Sequence, residues 1–271
     1  MNWKDIKEAI MSVLGVLLLI YVGIIVVLYL AQRQILYYPI GINKAPEGVS
    51  LLSAIDTQNR GYSPEGWFIP PTDVHKGVIL HFHGNAGNVA SRYAAFLPLL
   101  ATGYGALFAE YSGYNGNQGK PSKDNIIADA DGYIQKLFEL GYEAKDIVIY
   151  GESLGSGPAS YVATKYDVPT LVLQVPYDSI AAVAKKKYPF IIGLDYLLKD
   201  NFDNVEYLAN YKGRSLFLLA ERDNVIPTIH GETLYNSVSE PKLLHIFKGA
   251  GHNDIYETDY LQRVYDFIEK Q

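Results

Sequence analysis

Polar and apolar residues divide this chain into two unlike parts. From position 9 to 31 no residue is charged, and the run IMSVLGVLLLIYVGIIVVLYL fills most of that stretch. As a helix rising ~1.5 Å per residue it covers ~34 Å, enough to cross the ~30 Å hydrocarbon layer of a bilayer. A cleaved signal peptide has a shorter apolar core and then a small-x-small site, whereas here the run continues into Ala31, Gln32, Arg33 and Gln34. The pattern therefore predicts an uncleaved, single-pass transmembrane helix. Trp3, Tyr37 and Tyr38 are expected at the two interfaces, with Arg33 snorkelling towards headgroups. Lys4 and Lys7 stand against Arg33 and Lys44, which slightly favours a cytoplasmic N-terminus and a main domain on the non-cytoplasmic face.

Beyond a linker around 41–48 the pattern changes. Short apolar runs recur at 67–69, 78–82, 106–109, 147–150, 171–175, 216–219 and 243–247. Most are continuous rather than alternating, as in strands of a parallel sheet buried on both faces. Helical patterns lie between them. Ser122 precedes Ile126, Ile127, Ala130, Ile134, Leu137 and Phe138, giving a capped amphipathic helix that closes at Gly141. Leu261, Val264, Tyr265 and Ile268 repeat the spacing near the C-terminus. Alternating strands and helices predict an α/β fold with a mostly parallel central sheet and helices on both faces. The expected organisation is residues 1–40 as membrane anchor and linker and 41–271 as one domain, with a small helical cap at about 179–207.

Composition removes whole classes of function. A net charge of −6 with no concentrated basic face argues against a nucleic-acid partner. The absence of cysteine rules out disulfides, thiolate zinc sites and iron–sulfur clusters. Lys185, Lys186 and Lys187 form a short basic run that suits a solvated face or acidic lipid. The loop GYNGNQGKP at 113–121 resembles a phosphate loop, but its glycine spacing is one residue too long and proline stands where Ser/Thr would hold magnesium.

The candidate chemistry sits just after the strands, where ligands bind in open α/β sheets. After the fourth predicted strand, Gly151 and Gly155 frame Ser153 in a G-x-S-x-G pattern. A sharp strand-to-helix turn there leaves no room for flanking Cβ atoms, exposes the serine oxygen and aims backbone N–H groups at one point. A serine hydroxyl needs a base, and the base a carboxylate. The sequence AERDNVIP follows the sixth strand and KGAGHND the seventh, which supplies Asp223 and His252 in the order serine, acid, histidine. Glu221 and Asp178 are alternative acids at strand ends. The loop HGNAGN at 83–88 follows the second strand, and its Asn85 N–H together with the Leu154 N–H makes the expected oxyanion hole. His81 and His83, spaced i and i+2, are a conceivable metal pair without a third ligand nearby in sequence.

Taken together, HGNAGN at 83–88, EYSGYNGNQGKPS at 110–122, GESLGSGPA at 151–159, PYDSI at 176–180 and YPF with LLKDNFDN within 188–204 resemble the α/β-hydrolase superfamily, and within it the small membrane-anchored α/β-hydrolase-domain branch. The resemblance spans nearly the whole chain after the linker. It implies a serine hydrolase without metal or cofactor, in a branch that includes protein depalmitoylases, with esterases, lipases and peptidases in neighbouring branches. Ala220 departs from the glycine common shortly before the acid. The function expected from residues and resemblance together is hydrolysis of a carboxylic ester or thioester carrying an apolar acyl group, borne by a lipid or lipidated protein. An amidase or peptidase using the same triad, and a membrane-tethered binder with idle chemistry, are the alternatives.

Overall fold

The computed structural model describes residues 2–270. It opens with α1 (Trp3–Leu36), an uninterrupted helix capped by Asn2, whose side chain accepts from Lys4 N and Asp5 N. Eight strands form the main sheet: β1 (Ser50–Ser53), β2 (Glu65–Ile69), β3 (Val78–Phe82), β4 (Gly105–Ala109), β5 (Ile147–Glu152), β6 (Thr170–Gln174), β7 (Arg214–Ala220) and β8 (Lys242–Phe247). Their order is β8-β7-β6-β5-β3-β4-β2-β1, parallel from β8 through β4, with β1 and β2 antiparallel at one edge. All seven predicted strands are present. The edge strand β1 is additional: only Leu52 of its four residues is even partly buried, and pairing with β2 holds it.

Continuous apolar runs reflect burial on both faces. Within β3, Leu80 and Phe82 face one core with Ile126 and Ile134 of α3 (Lys123–Glu139) and Val162 of α4 (Ser156–Lys165). Ile79 faces the other, with Phe96 and Leu99 of α2 (Val89–Leu100) and Val264 and Ile268 of α9 (Tyr260–Glu269). Each such side chain contributes ~1.5–3 kcal/mol of burial. Helix α3 starts at its Ser122 cap, as predicted, and Gly141 follows its end at φ +92°.

Between β6 and β7 the chain forms three short helices, α5 (Ile180–Lys187), α6 (Leu194–Leu197) and α7 (Asn204–Leu208), and α8 (Thr228–Ser237) follows β7. The second half of α1 lies against this cap. Two expectations about the flanks are corrected by that contact. Arg33 does not snorkel: its Nε and Nη2 fork onto Asp200 at 2.7 and 3.0 Å, and Asp200 is buried. Tyr37 is buried in the core rather than at an interface. Tyr38 and Pro39 pair in parallel with Ala86 and Gly87, which ties the segment after α1 to the loop beyond β3.

Candidate active site

Strand order reverses beside β3, with β4 on one side and β5 on the other, so the loops leaving β3 and β5 diverge and open a crevice at their carboxyl ends. The register pairs Phe82 with Gly151, which brings the 83–88 loop beside the turn that carries Ser153. A Cβ on Gly84 would stand 3.3 Å from Ser153 Cβ. Ser153 itself has φ +50°, a strained conformation for a residue with a side chain, at the start of a tight turn running into α4. The flanking glycines permit that turn. A Cβ on Gly155 would meet Phe82 O at 2.1 Å, and one on Gly151 would meet Ala159 Cβ at 2.5 Å.

The other two residues are brought in by β7 and β8. Phe247 pairs with Ala220, so the loops that follow begin side by side. Glu221 N donates to Phe247 O and Arg222 N to Ala250 O, which zips them together. Asp223 Oδ1 accepts from Val225 N at 2.9 Å and Ile226 N at 2.8 Å, leaving Oδ2 for His252 Nδ1 at 2.6 Å. His252 Nε2 lies 3.0 Å from Ser153 Oγ. With the ring proton on Nδ1 donated to the carboxylate, Nε2 is free to accept from the serine hydroxyl.

The alternative acids have other partners. Glu221 Oε2 accepts from Gly249 N and so braces the histidine loop. Asp178 Oδ1 lies 2.9 Å from His230 Nδ1 and also accepts from Ser179 N. His81 and His83 part company as well. His81 is enclosed by Tyr150, Phe96 and Phe108, and that burial lowers its pKa to about 3. His83, past the strand end, has Nε2 at 2.6 Å from buried Glu110 Oε1. Among the described residues no group of three or more His, Cys, Asp or Glu gathers for a metal.

Asn85, Ser153 and Leu154 border a cavity of about 250 Å³ whose remaining lining is mostly apolar, with Gln32, Lys187 and Asp200 as its polar members. That exceeds the ~150 Å³ of an apolar cavity that takes up a benzene ring. Ile180, Val183, Ile191 and Leu194 come from the cap, Val225 and Ile226 from the acid loop, and Ile25, Leu28 and Tyr29 from α1. The Asn85 side chain is held by Tyr38 N at 2.7 Å and by Tyr114 Oη at 3.4 Å, so both the segment after α1 and the 110–122 block steady this loop.

One feature of the site was not foreseen. Arg92 of α2 forks onto Glu152, the residue before Ser153, with Nε at 2.8 Å and Nη2 at 2.5 Å, and also donates to Ala86 O at 3.4 Å. Burial pushes the Glu152 carboxyl upward, but the charge and hydrogen bonds of Arg92 outweigh it and hold the pKa at about 2. The glutamate is visible inside the serine motif. Its arginine, 60 positions away, carries no sequence mark.

No protein-family model matches the chain. An uncharacterized protein of Mycobacterium tuberculosis is 31% identical over 251 residues, covering 90% of this chain and 88% of the relative. Alpha/beta hydrolase domain-containing protein 17B of Xenopus laevis is 30% identical over 203 residues, covering 72% of this chain and 67% of that protein. Among solved structures, the Pyrococcus furiosus esterase Pf2001 superposes with a TM-score of 0.67 at 15% identity, over 86% of this chain and 96% of the esterase. The Thermogutta terrifontis esterase Est2 gives 0.65 at 16%, over 84% and 94%.

Proposed function

The chain belongs to the α/β-hydrolase family, and from that premise we propose that it is a membrane-anchored serine hydrolase acting on carboxylic esters or thioesters of apolar acyl groups. The observation that carries this reading is the unbroken contact from Asp223 through His252 to Ser153, opening on an apolar cavity. Ser153 Oγ attacks the acyl carbonyl as His252 Nε2 takes its proton, and Asp223 holds the imidazole in the tautomer that accepts there. The backbone N–H groups of Leu154 and Asn85 receive the oxyanion, each such donor being worth ~2.7–4 kcal/mol in the transition state. His252 then returns the proton to the leaving alcohol or thiol. Water, activated by the same nitrogen, releases the acid from the acyl-enzyme.

The mostly apolar lining favours an acyl chain over a polar peptide, and α1, uncharged throughout 9–31 and exposed from 7 to 20, supports a membrane anchor. The esterases among the structural neighbours fit the same chemistry. The test is turnover by the full-length protein of p-nitrophenyl esters and thioesters of rising chain length against acyl anilides. Ester or thioester turnover that rises with chain length and vanishes in Ser153→Ala is expected. Faster cleavage of anilides contradicts the substrate class, and no turnover of any substrate by folded protein favours an idle binder.

A further inference from the structure

Helix α1 is free over one part and docked over the other. Every position from 7 to 20 is exposed, and from Tyr21 onward the stripe Tyr21, Ile25, Leu28, Gln32, Leu36 becomes partly buried on a single helical face. That face is fastened to the cap by polar bonds. Tyr21 Oη donates to Phe190 O and accepts from Ile192 N, both at 3.1 Å. Gln32 bonds Leu197 O and Lys199 N at 3.1 and 2.7 Å, and Arg33 forks onto Asp200. Crossing hydrocarbon takes about 20 apolar residues and ~30 Å. The uncharged positions free of the cap, 9–20, supply only ~18 Å at ~1.5 Å per residue. The rest of the crossing is made by the residues that carry the cap.

The cap is dressed for that depth. Beside Tyr21 it presents Phe190, Ile192 and Tyr196 with 52%, 84% and 93% of their surface exposed. Positions 188–194 contain no charge, and Asp195 is paired with Lys185 at 2.6 Å. Lys185, Lys186 and Lys187 lie just before the apolar stretch and Lys199 just after it, a basic rim of the kind that meets lipid phosphates.

We propose that the cap is a second membrane-embedded element: residues 188–194 lie in the hydrocarbon of the leaflet that surrounds the second half of α1, with the lysines and the Asp195 carboxylate paired to Lys185 at its headgroups. The occupant of the exposed face is lipid. Because Ile25, Leu28 and Tyr29 of that same half also wall the cavity beside Ser153, an acyl chain reaches the serine from the leaflet without crossing water. The substrate class is thereby narrowed to acyl esters or thioesters whose chain resides in the bilayer. This rests on the reading of α1 as an anchor.

The cysteine-free chain makes the test direct. Single variants Ile192→Cys, Leu14→Cys and Val74→Cys of the full-length protein are labelled with an environment-sensitive fluorophore. They are reconstituted in phosphatidylcholine–phosphatidylglycerol vesicles and quenched either by acyl-chain nitroxide lipids or by iodide on both sides. Leu14 reports the free half of α1, and Val74, 90% exposed before β3, reports the far end of the sheet. The expected result is Ile192 quenched at least threefold more by nitroxide lipid than by iodide, like Leu14 and opposite to Val74. Iodide quenching at Ile192 with lipid quenching at Leu14 overturns the embedding while leaving the anchor intact. Iodide quenching at both overturns anchor and embedding together. Shielding of Ile192 from both quenchers, as a second copy of the chain would produce, overturns lipid as the occupant.

Discussion

Replacing Arg92 with leucine removes the cation that neutralises Glu152 directly behind the proposed nucleophile. Both side chains are nearly enclosed, at 11% and 5% exposure. Breaking such a pair by deleting one partner costs about 3–5 kcal/mol, because the remaining charge is buried without compensation. At ~2–4 °C per kcal/mol for domains of comparable size, melting falls by roughly 10 °C. The pH dependence gives a sharper signature. In the parent protein Glu152 is held at about 2 against an ordinary 4.5. A depressed carboxyl of this kind contributes on the order of 3 kcal/mol above pH ~4.5, lost as pH falls from there towards ~2. Without Arg92, burial, the largest influence on Glu152, is opposed only by the smaller effects of His81 and Tyr256 and lifts the Glu152 pKa above its ordinary value, so the sign reverses. The variant's deficit then grows as pH rises through the lifted pKa and shrinks below pH ~4.5. Replacing both residues with leucine removes the stranded charge and is expected to recover most of the loss. Thermal melts of parent, single and double variants in detergent between about pH 4 and 8 decide the matter. A single variant that melts within 2 °C of the parent, or a double variant at least as destabilised as the single, refutes the reasoning.

Two further outcomes are expected. Asp223→Asn keeps an oxygen for Val225 N and Ile226 N but no longer fixes the His252 tautomer. Ester kcat should fall by ~10³–10⁴ with KM little changed, on the pattern of triads losing their carboxylate; a loss below tenfold would mean another group orients the imidazole. His81 has its pKa lowered to about 3 from an ordinary 6.5. A histidine depressed on folding binds protons more readily when unfolded, so its penalty is absent above pH ~6.5 and grows to ~2–3 kcal/mol by pH ~4.5. His81→Leu should flatten the melting profile over that interval, and an unchanged slope would place the acid sensitivity elsewhere.

Much of this architecture is legible in one dimension because strands buried on both faces cannot hide. The run at 147–150 is apolar without interruption and that at 78–82 is broken only by His81, and each is enclosed in the sheet. The serine turn is equally plain, since backbone crowding at Gly155 and Gly151 leaves only glycine at those places. Asp223 and His252 are candidates in the sequence because they lie just past strand ends, and the structure places them in contact. What escaped has a different physical origin. Strand β1 buries almost nothing and exists through its hydrogen bonds to β2. The docked stripe of α1 is invisible in a helix apolar on every side, where the docked face and the exposed face have the same composition. For the same reason Arg33 and Tyr37 read as interfacial anchors, although one holds Asp200 and the other fills the core.

The central claim is that Ser153 is a nucleophile activated by His252, and its most direct test is covalent capture. Full-length protein treated with a fluorophosphonate probe and digested for peptide mass spectrometry should carry the adduct on Ser153, with labelling abolished in Ser153→Ala and slowed by orders of magnitude in His252→Ala. Folded parent protein that stays unmodified, or that carries the adduct on a different serine, would contradict it.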